Sequence, residues 1–199
     1  CGNRRADRGR YAVSLNRAAQ ERNPARSDYD ARMDAVVCGI DPGLGITGYG
    51  VIRTSGVSTP ALMDAGVCRF EARGSLPGRL VAVEQDLSAI LAEHQPDIVA
   101  VEELYAHYKH PRTAILMGHA RGVILLTAAR RGIEVRSYSA TRVKRYLTGN
   151  GRATKGQVQR AIQMTLGLPS LPEPADVADA LAIALCCASD AGQERRPSS

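Results

Sequence analysis

Short β-branched runs and helically spaced apolar positions alternate along most of this chain. Val36-Val37-Cys38-Gly39-Ile40 leads into Asp41-Pro42-Gly43, and a second apolar stretch from Ile46 to Ile52 follows at once. This predicts strands over 35–41 and 46–53 joined by a tight turn, because Pro and Gly supply the turn geometry. A third strand is predicted over 61–70. From 78 to 94 the period changes: Leu80, Val83, Leu87, Ile90 and Leu91 share one face of a helix. After Pro96, the run Asp97-Ile98-Val99-Ala100-Val101-Glu102 predicts a strand over 97–102. A polar loop over 103–111 separates it from a helix over 112–131, whose stripe includes Ile115, Gly118, Gly122 and Leu126. A strand over 133–138 and helices near 139–147, 154–166 and 174–189 complete the path. Three strands followed by alternating helices and strands predict an α/β domain, a mixed sheet with helices on its faces. There is no internal repeat and no second domain.

Four acidic residues stand out against this pattern. Asp41 and Glu102 each end an apolar strand. A carboxylate at the end of a buried strand is costly without a partner such as a cation. Asp176 and Asp179 follow Pro174 at the start of the last helix and, three apart, project from one face. Simpler roles stay open at this point: Asp41 as a cap of its own turn, the two aspartates as complements of the helix dipole. If the four converge, each pair at 4 Å repels by roughly 4 kcal/mol at an effective dielectric of 20. Hard divalent cations with oxygen ligands relieve such repulsion, and Mg²⁺ or Mn²⁺ are the natural candidates.

Charge supports that direction. The 199 residues carry a net charge of +6. Residues 1–35 hold eight Arg and five acids, while Leu104–Pro172 holds twelve Lys or Arg against one acid, Glu134. A basic stretch beside a carboxylate cluster suits phosphodiester chemistry, with a solvated face as the plainer alternative. Cys38, Cys68 and the Cys186-Cys187 pair lie in apolar runs, and no spacing suggests zinc. They read as core residues of a reducing compartment. No apolar run approaches the ~18 residues of a membrane span.

GIDPGLGITGYGVI (39–52), VAVEELY (99–105), GHARGV (118–123) and ADVADALAIA (175–184) together resemble the RuvC family of Holliday-junction resolving endonucleases. The resemblance runs from about Val36 to Ala188, with its motifs in order. It implies an RNase H-like fold with a mixed five-stranded sheet flanked by helices, in a homodimer whose interface lies near the helix at 112–131. It implies paired symmetric nicks in four-way DNA junctions, leaving 5′-phosphate and 3′-hydroxyl ends. It further implies Mg²⁺, two ions per site with Mn²⁺ as a substitute, bound by Asp41, Glu102, Asp176 and Asp179. Glu103 is the adjacent competitor of Glu102, but strand alternation points it the other way. For DNA contact the resemblance implies Tyr105 as an aromatic wedge and Lys144 and Lys155 as basic contacts. Arg112, Arg142, Arg145 and Arg152 join them from the acid-poor stretch. A RuvA-RuvB branch-migration complex as partner and a cytoplasmic location follow from the same resemblance. The nuclease domain is expected over 36–189, after an Arg-rich, disordered extension over 1–35 and before a disordered tail over 190–199. Met33, just before the first strand, is where a family member would be expected to begin. Competing readings are a sugar-kinase or chaperone-like ATPase, an RNase H-like enzyme acting on RNA, and a junction binder without nuclease activity.

Overall fold

The computed structural model describes residues 8–10, 34–55, 58–70, 74–104 and 111–194. Strands β2 (Ala35–Asp41), β3 (Ile46–Ser55) and β4 (Ser58–Arg69) form an antiparallel meander. Strands β5 (Ile98–Glu102) and β6 (Glu134–Tyr138) add to it in parallel beside β2. These five are the strands that the patterning predicts. A sixth, β1 (Arg8–Arg10), pairs antiparallel with β4, so the sheet runs β1-β4-β3-β2-β5-β6. The expected mixed five-stranded sheet is thus present, and 8–10, within the expected extension, adds a short sixth strand at its edge. The open edge of β4 offers unpaired backbone donors and acceptors, and this short segment takes them. The rest of the expected extension, 1–7 and 11–33, lies outside the described residues.

Alternation along β2 and β5 sorts the core into two layers. Val37, Ile98 and Ala100 face α5 (Ala175–Glu194), with α3 (Ala140–Thr148) and α4 (Lys155–Leu166) packed around it. Cys38, Ile40, Val99 and Val101 face α1 (Leu76–His94) and α2 (Pro111–Arg130). Buried on both faces, the strands read as continuous apolar runs. Asp41 and Glu102 extend the α5-facing series, so the strand period alone aims both carboxylates to one side. α1 begins two residues earlier than its apolar period suggests, because Ser75 caps it by accepting from the Gly78 N–H and Pro77 follows the cap.

α5 continues to Glu194, past the boundary expected at 189. Two ion pairs explain the extra turn: Arg142 donates to Asp190 at 2.8 Å, and Arg136 to Glu194 at 2.8 Å. Ala191 is buried between them. Residues 195–199 of the expected tail lie outside the described residues. Among the described residues, no helix is long and apolar enough to cross a membrane.

Candidate active site

Asp41 ends β2 and Glu102 ends β5, adjacent parallel strands whose last paired residues are Ile40 and Val101. The first turn of α5 brings Asp176 and Asp179 over these strand ends. Two glycines let the helix sit so low. Gly39 and Gly48 both lie in the first hairpin, Gly48 paired with Asp41 itself. A Cβ at Gly48 would overlap the backbone carbonyl of Asp176 and lie 3.1 Å from its Cβ. One at Gly39 would overlap the Ala180 carbonyl and lie 2.9 Å from the Ala184 Cβ. Any side chain here lifts the helix that carries half of the cluster. Gly48→Ala should therefore destabilise the protein by about 1–3 kcal/mol. A urea denaturation midpoint equal to that of the parent would show that α5 is seated by something else.

The four carboxylates feel one another. Burial pushes the Asp41 carboxyl up to about 8, reinforced by the negative charges of Glu102, Asp179 and Asp176 and by a hydrogen bond with Glu102. Burial and the charge of Asp179 also raise Glu102, while the Asp41 hydrogen bond, Lys144 and Lys155 pull it back down. Both shifts run toward a proton held between these two carboxyls, with burial favouring Asp41 as its carrier. Lys155 Nζ lies 3.4 Å from Asp179 Oδ2. Among the described residues, no three acidic, histidine or cysteine side chains are close enough to cage an ion as they stand. The donor set itself, all carboxylate oxygen, suits a hard divalent cation such as Mg²⁺ or Mn²⁺.

A pH dependence follows. Between its ordinary value of 3.8 and about 8, Asp41 binds a proton when folded that it releases when unfolded. The folded state then holds more protons, so this group makes stability fall as pH rises through that window. In EDTA, the urea midpoint should drop between pH 5 and pH 8 more in the parent than in Asp41→Asn. Equal slopes would contradict the burial of a strained carboxyl here.

The family model for crossover junction endodeoxyribonuclease RuvC matches residues 37–187. The chain belongs to the RuvC family. A crossover junction endodeoxyribonuclease RuvC from Rhodopirellula baltica is 54% identical over 150 residues, 75% of this chain and 84% of that protein. Its counterpart from Heliobacterium modesticaldum is 48% identical over 153 residues, 77% of this chain and 93% of the other. Among solved structures, Thermus thermophilus RuvC in complex with a Holliday junction superposes with a TM-score of 0.76 at 34% identity. That match covers 81% of this chain and 97% of the other. The fold is RNase H-like, as the resemblance implied.

On this RuvC-family frame, a cleft of about 240 Å³ opens beside the carboxylates, with Glu102, Asp179, Lys144 and Lys155 at its polar side. Val143, Val158 and Ile183 contribute to its apolar wall. Both lysines thus line the same cleft as Glu102 and Asp179. Lys155 opens α4, which Thr154 caps with a reciprocal capping box to Gln157. Lys144 lies on α3, capped by Ser139. Arg112 is exposed on the first turn of α2, and Tyr105 lies outside the described residues. Arg142, one of the expected basic contacts, is bonded to Asp190 and lies 5.3 Å from the centre of the Tyr138 ring. Arg145 and Arg152 are exposed. Sequence reading missed two contributors. Gly48 read only as one position of the second strand. Arg121, inside a quoted motif, bonds the main chain at Glu102, a pairing across nineteen positions that no local pattern signals.

Proposed function

We propose that this protein is a structure-selective endodeoxyribonuclease that resolves four-way DNA junctions in recombination and repair. It does so by paired, symmetric nicks that leave 5′-phosphate and 3′-hydroxyl ends. The observation that carries the reading is the convergence of Asp41, Glu102, Asp176 and Asp179 at one end of the sheet, in a chain of the RuvC family. These four would hold Mg²⁺, two ions per site, with Mn²⁺ as a substitute. Bound there, the cations would lower the pKa of an attacking water and offset charge on the leaving 3′ oxygen.

The chain's own residues do the rest. Asp41 would give up its proton as the site fills, because a bound cation offsets both the cost of burying its charge and the repulsion of its acidic neighbours. Lys155, released from Asp179 by the same neutralisation, turns to the phosphate backbone together with Lys144. Arg112 extends the basic track, and Tyr105 stacks on an unpaired base at the crossover. The protein works as a homodimer, since two strands must be cut across a two-fold junction. Support for the interface comes from the outer face of α2. Ile115 and Leu126 are 61% and 52% exposed and border a groove shared with Leu80 of α1. Gly118 and Gly122 beside them permit close helix approach. The setting is the cytoplasm, with a RuvA-RuvB branch-migration complex as the partner that delivers the junction.

The test is a synthetic four-way junction and a linear duplex of matching sequence, each with Mg²⁺ and with EDTA. Symmetric, Mg²⁺-dependent nicks on the junction alone are expected. Equal cutting of both substrates, or none of either, would overturn the proposal.

A further inference from the structure

Glu102 sits where its strand loses support. The β2–β5 ladder ends at the pair Ile40–Val101, so on that side nothing in the ladder fixes the peptide that carries Glu102. On the other side β6 pairs Tyr138 with Glu102, and the Glu103 N–H donates to the Tyr138 carbonyl at 2.9 Å. A carboxylate at such an end swings with any rotation of its own peptide, and ligand groups must be held within about 0.5 Å to act.

α2 supplies the missing restraint. The half-buried Arg121 Nε donates to the Glu102 carbonyl at 3.1 Å, and its Nη2 donates to Ser137 Oγ at 2.7 Å. Ser137 pairs with Val101 across the β5–β6 ladder. One planar guanidinium therefore ties the ends of two strands to the helix beneath them. Two features separate this from a DNA contact. Both bonds go to neutral oxygens, and α2 packs on the sheet face opposite the carboxylate cluster. Arg121 is also not part of the cleft lining.

We propose that Arg121 is a positioning residue for Glu102, fixing the end of β5 so that the Glu102 carboxylate faces Asp41. This inference rests on the functional reading above. The planar fork matters more than the charge, because a lysine ammonium cannot bridge two oxygens on different strands with the same fixed geometry. Arg121 acts through the Glu102 main chain and touches neither substrate nor metal.

The test compares the parent with Arg121→Lys, Arg121→Ala and Ser137→Ala. It uses single-turnover cutting of a four-way junction, junction affinity by anisotropy in Ca²⁺, and Mn²⁺ binding by calorimetry. Both Arg121 variants should cut about 10–100-fold slower at saturating protein, the range that a small misplacement costs. Junction Kd should stay within about twofold, since no phosphate contact is lost. Mn²⁺ binding should weaken in both, and Ser137→Ala should fall between them and the parent. Parent-like cutting by Arg121→Lys would overturn the proposal, as would weaker junction binding with an unchanged saturated rate. Should Arg121→Ala fail to fold, the Lys and Ser137 variants decide alone. A parent that does not cut would refute the functional reading, whereas Mn²⁺ binding unchanged by Arg121→Lys would refute this one.

Discussion

Asp41→Asn is expected to abolish junction cutting, by a factor of at least about 10³, the scale on which removing a group that acts only in the transition state is felt. The substitution keeps size and hydrogen-bonding shape but removes a charge. In the metal-free protein that charge is already unwelcome: burial and three acidic neighbours push the carboxyl up to about 8. The asparagine form should therefore fold at least as stably in EDTA, and should bind a four-way junction as well as the parent. Loss of cutting with retained binding separates a reaction-centre role from a structural one. Retained cutting would remove Asp41 from the site.

The second large effect concerns the outer face of α2. Ile115, Gly118, His119, Gly122 and Leu126 recur at helical spacing on that face, while Ala120, Ile124 and Ala128 on the opposite face are fully buried. Clustered exposed apolar side chains of this kind mark an interaction surface. Replacing Ile115 and Leu126 with Glu should yield a monomer by sedimentation. With one active site per particle, paired nicking should give way to single nicks, and junction affinity should fall by about 10²-fold or more as two-point attachment is lost. A variant that still makes paired nicks as a monomer would contradict the dimer reading.

Legibility in the sequence followed the range of the interactions. The first hairpin, the strand ending at Glu102 and the opening of the last helix are dictated by neighbours a few residues apart, so pattern and turn chemistry located them within two or three positions. The alternation that separates Glu102 from Glu103 was also local: Ile98, Ala100 and Glu102 share a parity along the strand, and Glu103 lies exposed beyond it. What escaped depends on distant partners. The last turn of α5 is held by Arg136 and Arg142, fifty-eight and forty-eight positions away. β1 exists only because β4 offers an open edge. Gly48 is explained by a helix that begins more than a hundred residues later.

The most direct test of the central claim is anomalous diffraction from crystals soaked in Mn²⁺. The account predicts anomalous peaks bounded by Asp41, Glu102, Asp176 and Asp179, with Lys155 turned away from Asp179. Peaks confined to other parts of the molecule, or carboxylates still sharing a proton at saturating Mn²⁺, would contradict it.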